Sequence, residues 1–209
     1  MEIEAKFSIP DERTFQELLE AITLADFRLG EASVSELYDR YLDTADGAFF
    51  EAGFACRIRR WDQRYLATLK SLDSVQGAMH RRVECEIELP LPAHPRDWPR
   101  CAARDLALRL CDDRPLHLLL EIKQTRHTRA VFDRDRTIAE LDLDRVRVCH
   151  RGNVVASYLE LEAELLREGD EGALQQLVTY LRDVWHLVPE TASKFERGLT
   201  LVGKGSARA

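Results

Sequence analysis

Apolar and polar residues alternate with a period of two along most of the chain. This period is typical of β-strands that bury one face and leave the other polar. Turn-forming pairs, among them Asp46-Gly47 and Gly152-Asn153, separate several of the alternating runs. We therefore predict strands at 2–8, 27–33, 34–43, 54–61, 64–71, 79–90, 118–125, 128–133, 137–149 and 153–166.

Other segments follow the helical period instead. In residues 11–22, Phe15, Leu18 and Ile22 recur at the spacing that places apolar side chains on one face of a helix. The sequence contains no internal repeat and no low-complexity linker, so we expect one β-dominated α+β domain in which peripheral helices flank an antiparallel sheet. The predicted helices are 11–22, 97–111, 170–185 and 191–201.

The polar faces of the predicted strands carry charges in series. Glu2, Glu4 and Lys6 share one face of the first strand. Because like charges at such close spacing repel each other, the repetition of this pattern indicates a surface that binds a charged ligand. A sheet closes such a face around a ligand only by curling into a barrel. The other charged faces are Arg57 and Arg59; Thr68 and Lys70; Arg82, Glu84, Glu86 and Glu88; Glu140, Asp142 and Asp144; and Glu160, Glu162 and Glu164.

Composition and net charge limit the binding partners and the cellular compartment that we expect. The chain has 30 Lys and Arg against 37 Asp and Glu, a net charge of −7, and an acidic chain is a poor general nucleic-acid binder. No stretch is long and apolar enough to span a membrane, and the acidic start is unlike a signal peptide. We expect a cytoplasmic protein with a folded domain at 1–202 and a disordered tail at 203–209. The cysteines have neither disulfide nor zinc-ligand spacing, and we predict that they are reduced core residues: Cys56, Cys85, Cys101, Cys111 and Cys149.

The two kinds of charge suit one class of ligand. Carboxylates are the preferred ligands of hard divalent cations, whereas Lys and Arg bind phosphate, Arg through paired hydrogen bonds. Together they indicate a polyphosphate held by basic side chains, with a metal ion between the phosphates and the carboxylates.

The charged motifs also follow one another in a characteristic order, which begins with Glu2-Ile3-Glu4-Ala5-Lys6 at the N-terminus. The later motifs are Tyr41-Leu42-Asp43-Thr44, Arg57-Ile58-Arg59, Thr68-Leu69-Lys70, Arg82-Val83-Glu84-Cys85-Glu86, Thr125-Arg126, Glu140 through Asp144, Glu160-Leu161-Glu162 and Ser193-Lys194-Phe195-Glu196-Arg197. This set resembles the CYTH superfamily, the triphosphate tunnel metalloenzymes, whose signature is ExExK. The resemblance extends to about residue 202 and implies an antiparallel eight-stranded β-barrel that forms a charged tunnel.

The resemblance also implies roles for individual residues. Mg²⁺ or Mn²⁺ would be held by Glu2, Glu4, Asp144, Glu160 and Glu162. The phosphates would be bound by Lys6, Arg57, Arg59, Lys70, Arg82, Arg126 and Lys194. The catalytic groups would be Lys6, Lys70, Arg82 and Glu84. The sequence leaves open whether the attacking water is activated by a second metal ion or by a lysine whose pKa is lowered.

The resemblance implies a metal-dependent triphosphatase acting on inorganic triphosphate, and three alternatives stay open. A class IV adenylate cyclase would need a purine pocket, for which the sequence has no specific element. A thiamine triphosphatase would need an aromatic surface at the tunnel mouth, where Trp61 is the one candidate. A non-catalytic polyphosphate-binding module is suggested by similarity to the CYTH part of bacterial CYTH–CHAD proteins. The CHAD helical domain is not in this sequence, so we expect a stand-alone relative or a part of a longer chain.

Some charged residues are expected to lie outside the binding site or at its edge. We expect Lys123 and Arg129 to be surface cations and Glu88 to lie outside the site. Asp142 and Glu164 are candidates for the tunnel mouth.

Overall fold

The structure, a computed structural model, describes residues 2–72, 75–167 and 169–206, and strands dominate it. The helices are α1 (Glu12–Glu20), α2 (Ala48–Glu51), α3 (Ala102–Cys111), α4 (Glu171–Asp183) and α5 (Lys194–Ser206). Within these ranges no helix is both long and apolar enough to cross a membrane. The strands are β1 (Glu2–Ile9), β2 (Thr23–Leu24), β3 (Phe27–Leu29), β4 (Ser33–Asp43), β5 (Phe54–Trp61), β6 (Arg64–Ser71), β7 (Val75–Gln76), β8 (Met79–Arg82), β9 (Glu84–Leu89), β10 (His117–Asp133), β11 (Arg136–His150), β12 (Asn153–Leu165) and β13 (Val188–Pro189).

The main strands form one curled antiparallel sheet that returns to its own beginning. Its order is β7-β8-β1-β12-β11-β10-β4-β5-β6-β9. Only Val83 separates β8, which pairs with β1, from β9, which pairs with β6, and the Ser71 amide donates to the Val83 carbonyl at 2.9 Å. With β8 and β9 taken as one bent strand, eight strands surround a central space. The predicted antiparallel eight-stranded β-barrel is therefore confirmed.

Two apolar cores lie on the outside of the barrel, because alternation places the apolar residues of each strand outward. On one side, α1 and α4 cover β1, β11 and β12, and Phe15 and Leu181 pack there against Phe7 and Leu161. On the other side, α3 covers β5, β6 and β9 around Leu69. Each large side chain so buried contributes about 1.5–3 kcal/mol, so the helices hold the outer face and leave the inner face free for charge.

A third core lies inside the barrel and fills one end of it. Phe195 of α5 stacks on Tyr41 with ring centroids 5.0 Å apart. Leu120, Ile122 and Val146 complete this apolar plug. The charged part of the interior therefore opens toward the opposite end.

The structure corrects several predicted boundaries. The segments 118–125 and 128–133 form one strand, β10, and the predicted strand 27–33 ends at Leu29, where the Gly30 amide bonds to Ala130. Strand 79–90 is broken at Val83 because its two halves pair with different neighbours.

The helices also differ in extent from the predictions. The short α2 was not predicted, and Asp43 holds its start by accepting hydrogen bonds from the Phe49 and Phe50 amides at 2.9 and 3.0 Å. Helix α3 begins at Ala102, after one 3-10 turn at Pro95–Asp97. Helix α5 continues past residue 202 to Ser206, and residues 207–209 of the predicted tail lie outside the described part of the chain.

Candidate functional site

The inside of the barrel holds a cavity of about 680 Å³ lined mainly by charged side chains. Strand alternation brings them together, since residues two apart on a strand point to the same face. All the cations predicted to bind phosphate line this cavity: Lys6, Arg57, Arg59, Lys70, Arg82, Arg126 and Lys194. Four of the acids predicted for metal binding or catalysis line it as well: Glu2, Glu4, Glu84 and Glu162.

The other two predicted metal ligands, Asp144 and Glu160, lie deeper. Both are fully buried and are not part of the cavity wall. Asp144 is held by Arg126 through two hydrogen bonds of 2.9 and 2.7 Å. Glu160 lies 2.6 Å from the Lys194 ammonium. The structure therefore places these two acids beneath the cations predicted to bind phosphate, as their counter-ions.

We give the name paired cluster to three acids and the two cations between them: Asp144, Glu160, Glu162, Arg126 and Lys194. The Lys194 ammonium lies 2.7 Å from Glu162 and 3.0 Å from Asp144, and Arg126 reaches Glu162 at 2.6 Å. The pairing of β11 with β12 explains why these charges lie so close together, because it sets Asp144 directly opposite Glu160. Two buried acids in such a position repel each other unless cations lie between them.

A helix start places Lys194 in the paired cluster. The Ser193 hydroxyl accepts a hydrogen bond from the Glu196 amide at 3.2 Å, and the Glu196 carboxylate accepts one from the Ser193 amide at 2.8 Å. This reciprocal pair is a capping box, which fixes where a helix begins. Lys194 and Phe195 follow immediately, so the box sets one cation and one apolar ring into the barrel.

A second acidic group, which we call the acidic wall, consists of Glu2, Glu4, Glu140 and Glu164 on β1, β11 and β12. All four line the cavity. Glu164 lies opposite both Glu4 and Glu140 in the sheet register. The cations near this wall are Lys70, 2.6 Å from Glu2, and Arg82 and Lys6, each 3.4 Å from Glu4.

The pKa values differ along the acidic wall. Burial and the nearby carboxylates of Glu2 and Glu4 raise the pKa of Glu164 to about 7. Burial acts in the same direction on Glu4, but Lys6 and Lys70 outweigh it and lower the pKa of Glu4 to about 2. Burial and Glu4 also raise the pKa of Glu2. In the paired cluster, burial acts in the same direction, yet Lys194 and Lys6 outweigh it and hold the pKa of Glu162 well below its usual range. The acidic wall thus carries more negative charge than its cations neutralise.

A divalent cation would fit this excess of charge. The buried carboxylate oxygens of this wall face cations only: Glu2 Oε2 lies 2.6 Å from the Lys70 ammonium, and Glu4 Oε1 lies 3.4 Å from Lys6. Carboxylate oxygens are the ligands that Mg²⁺ and Mn²⁺ prefer. The described residues contain no ready cluster of three or more His, Cys, Asp or Glu in metal-binding geometry. The acidic wall therefore supplies suitable donors that are spread apart.

Opposite the acidic wall, β5 supplies two guanidinium groups to the cavity, those of Arg57 and Arg59. Arg57 lies 3.7 Å from both Glu84 and Glu86 and donates to the Thr68 hydroxyl at 3.1 Å. Its Nε and the Nε of Arg82 are buried without a hydrogen-bond acceptor among the described residues. Unpaired donors of this kind, on the wall of a cavity, suit an anionic ligand.

The sequence interpretation did not identify Asp39, although it organises this side of the cavity. Asp39 is fully buried and accepts two hydrogen bonds from Arg59 at 2.7 and 2.8 Å. It also lies 3.8 Å from Arg57. Its alternation with Leu37 and Tyr41 was the available signal, since an Asp in an otherwise apolar series on one face needs a buried cation.

The sequence interpretation did not identify His80 either. It is buried, its Nδ1 lies against the Arg82 guanidinium, and its Nε2 lies 2.9 Å from the Glu190 carbonyl. Burial and the neighbouring Arg82 together lower the pKa of His80 to about 4. A neutral ring can accept a hydrogen bond from Arg82, so His80 orients that cation.

Some plainer predictions are corrected or supported. Arg129 is buried, not on the surface: it donates to the Gly30 and Leu19 carbonyls at 2.8 Å each, away from the cavity. Lys123 is exposed, and Glu88 is exposed beside Arg64. Every cysteine is free, as predicted.

Comparisons with known proteins agree with this geometry. A family model described as the CYTH domain matches residues 1–199. A Hippeastrum structure, described as an adenylyl cyclase candidate with a dominant triphosphatase activity, superposes with a TM-score of 0.70 at 18% identity over 93% of each chain. A Bacillus halodurans structure, described as an adenylate cyclase candidate, superposes with a TM-score of 0.62 at 22% identity over 94% of this chain and 96% of the other. No curated protein matches the chain. Identities this low support the fold alone.

Proposed function

The chain belongs to the CYTH domain family, and on that premise we propose that it is a divalent-metal-dependent triphosphatase. Its substrate is inorganic triphosphate or another molecule that carries a triphosphate group. Water adds to the terminal phosphorus while the bond to the bridging oxygen breaks. With inorganic triphosphate the products are orthophosphate and diphosphate.

The observation that carries this proposal is the set of cations that converge on one cavity. The set comprises the seven predicted phosphate-binding residues, of which Lys6, Arg82 and Lys194 are almost completely buried. Burying so many cations is costly unless they meet negative charge, which neighbouring acids supply here and a bound polyphosphate would also supply. A linear chain of phosphates matches a cavity that offers cations along its length, and positioning and charge neutralisation are the main demands of phosphoryl transfer.

The acidic wall is the proposed metal site. Glu2 and Glu4 are its central ligands, and Asp144, Glu160 and Glu162 would contribute from the paired cluster only if their cations moved toward the phosphates. A bound Mg²⁺ or Mn²⁺ would neutralise phosphate charge and lower the pKa of water. Without a cation between them, the acidic wall and a polyphosphate would repel each other.

The proposed catalytic groups are Lys6, Lys70, Arg82 and Glu84. Burial alone would lower the pKa of Lys6, but Glu162 and Glu4 outweigh burial and raise it. Lys6 therefore stays protonated and stabilises charge on the phosphates, which argues against Lys6 as the general base. Lys70 lies opposite Glu84 in the sheet register, so a cation and a carboxylate face the same part of the cavity.

A phosphate-release assay tests the proposal. The substrates are tripolyphosphate, ATP and thiamine triphosphate, each with EDTA, Mg²⁺ or Mn²⁺. We expect hydrolysis with metal, none in EDTA, and full recovery when metal is added back. Undiminished hydrolysis in EDTA would remove the metal from the proposal.

The same samples separate the alternatives. Cyclic AMP and diphosphate from ATP, without orthophosphate, would identify a cyclase. Tight binding of tripolyphosphate with no turnover under any metal condition would identify a non-catalytic module.

A further inference from the structure

Three cations and one aromatic ring lie side by side on the outer face of the barrel. They are directly opposite one another in the register of β5, β4, β10 and β11, and we call them the cationic row: Arg60, Tyr38, Lys123 and Arg147. Strand alternation turns all four away from the cavity, whose wall includes the next residue of β5, Arg59. The three cations are exposed, and Tyr38 is half-buried.

The cationic row does not stabilise the fold in the way the cores do. Its residues belong to none of the three apolar cores among the described residues. Lys123 and Arg147 form a like-charged pair directly across β10 and β11, and such a pair destabilises a sheet. Within the described part of the chain, none of the three cations forms an ion pair with a carboxylate. The row therefore presents positive charge that an anion from outside would neutralise.

Tyr38 fixes the positions of the cations beside it. The Arg60 guanidinium lies 5.4 Å from the Tyr38 ring centroid, and the Lys123 ammonium lies 5.3 Å from it. Because β5 and β10 flank β4 on opposite sides, these cations approach the ring from both sides. The Tyr38 hydroxyl donates a hydrogen bond to Glu121, which holds the ring in place. The two ring faces are thus in contact with cations and are not open to a stacking base.

Spacing across the sheet defines the shape of an anion that fits the row. Neighbouring strands are about 4.8 Å apart, so Arg60 and Arg147 are about 14 Å apart, with Lys123 between them. In an extended peptide, residues two apart lie on one side, about 7 Å from each other. Carboxylates at three alternate positions therefore span the row, within reach of its long side chains. A guanidinium group binds such a carboxylate through paired hydrogen bonds.

We propose that the cationic row binds an extended acidic segment of a partner protein, with carboxylates at alternate positions. Tyr and Arg are the residue types that often dominate the energy of protein–protein interfaces, and they supply three of the four residues in the row. Because the chain as a whole carries a net charge of −7, the attraction of an acidic segment is confined to this face.

Other occupants fit the row less well. A second copy of this chain, bound through the same face, would set the row against itself, because a two-fold interface joins identical patches. A single nucleic-acid strand gains affinity by stacking its bases on open aromatic rings, and the faces of Tyr38 are covered by Arg60 and Lys123.

The test measures the binding of a short peptide in which glutamate alternates with serine. The peptide carries a neutral dye, and fluorescence anisotropy at low salt gives its dissociation constant. The variant combines Arg60→Gln, Lys123→Gln and Arg147→Gln. We expect the dissociation constant to rise at least about tenfold, because three exposed ion pairs are lost. Binding to the wild type should weaken as salt is added, and a peptide with glutamine in place of glutamate should not bind.

The matched control removes the same charge at exposed positions around α3 and in the turn between β10 and β11. It combines Arg100→Gln, Arg109→Gln and Arg134→Gln, and the dissociation constant should change less than about twofold, because charges so far from the row are screened.

A further variant keeps every charge of the row. Tyr38→Leu removes the ring that holds Arg60 and Lys123, so binding should weaken about two- to fivefold, the worth of an exposed cation–π contact. Cooperative melting of each variant shows that its fold is intact. Arg57→Ala, inside the cavity, should bind the peptide like the wild type.

Three results would overturn the proposal: no binding of the peptide to the wild type, equal losses in the two triple variants, or a loss in Arg57→Ala that places the peptide in the cavity. An oligothymidylate of equal charge, or phosphatidylserine vesicles, bound more tightly than the peptide and released by the row variant would also overturn it, by identifying a nucleic acid or a membrane as the occupant. The phosphate-release assay does not bear on this test, because the row lies outside the cavity.

Discussion

The paired cluster and the acidic wall lie in one cavity and are built from the same residue types, yet their electrostatics differ. In the paired cluster, Lys194 and Arg126 reach the three acids at 2.6–3.0 Å. Across the acidic wall, four carboxylates meet three cations, Lys70, Arg82 and Lys6, and neither Arg82 nor Lys6 comes closer to Glu4 than 3.4 Å. Every acid of the first region has a cation in direct contact, whereas Glu140 and Glu164 of the second form no ion pair within the described residues.

This difference fits the proposed binding of both a polyanion and a metal ion in one barrel. The paired cluster holds its cations in fixed positions, which a preorganised phosphate site would require. The acidic wall presents carboxylates on the cavity surface, where a cation from solution would meet them. Glu160 is an exception within the paired cluster: burial raises its pKa despite Lys194, because that lysine is shared with two other acids.

The largest expected effect comes from removing the lysine of the paired cluster. Lys194→Met leaves three buried acids short of a cation, and breaking a buried pair in this way costs about 3–5 kcal/mol. The control is Lys70→Met at the acidic wall, where Glu2 can take a proton or a cation from solution and we expect a loss of about 1 kcal/mol. Chemical denaturation measures both. Equal losses would mean that the two regions do not differ in internal neutralisation.

The next effect is on phosphate binding. Arg57→Ala removes charge-assisted contacts worth roughly 1.5–3 kcal/mol each, so kcat/KM for the triphosphate should fall about tenfold to a few hundredfold. The Mg²⁺ concentration for half-maximal activity should stay the same. Arg60→Ala, on the exposed outer face of the same strand, is the control and should be neutral. If Arg57→Ala matches the wild type, β5 does not face the substrate.

A smaller and different effect is expected at the acidic wall. Glu4→Gln keeps the shape of the side chain but removes a charge that a metal would meet, so the Mg²⁺ needed for half-maximal activity should rise about tenfold. KM at saturating Mg²⁺ should change little. Glu88→Gln, at the exposed rim, is the control. A Glu4→Gln enzyme with an unchanged Mg²⁺ titration would place the metal elsewhere.

The smallest expected effect is the change of the free energy of unfolding with pH when no metal ion is present. An acid with a raised folded-state pKa binds more protons folded than unfolded, so the free energy of unfolding falls as pH rises through that range. For Glu164 the range runs from 4.5 to about 7, and Asp142, whose pKa burial raises to about 6, adds to it. In EDTA, Tm should therefore be lower at pH 7.5 than at pH 5.5.

Glu164→Gln should raise Tm at pH 7.5 in EDTA by about 2–4 °C, the shift expected from about 1 kcal/mol in a domain of this size. Saturating Mg²⁺ should reduce the gain. A variant that melts like the wild type at both pH values would show that Glu164 carries no excess repulsion.

Much of the site could be predicted because strand alternation is a local property. Residues i and i+2 share a face whatever the partner strands, so Glu2 with Glu4 and Arg57 with Arg59 followed from the sequence. Asp39 could not be identified in this way, because its importance depends on Arg59 of a neighbouring strand. Arg129 was misplaced on the surface because its partners are the carbonyls of α1 and of Gly30, 99 residues away in the chain.

The sequence by itself determined which side chains share a face of each strand, through the period of two. It also indicated the last helix, which was predicted at 191–201 and begins at Lys194. Only the tertiary structure decided which acids are neutralised and which are not. Pairing of β11 with β12 sets Asp144 against Glu160, and the docking of α5 brings Lys194 to them. No such cation reaches Glu164 within the described residues, because electrostatic balance depends on distances between strands and not on spacing along them.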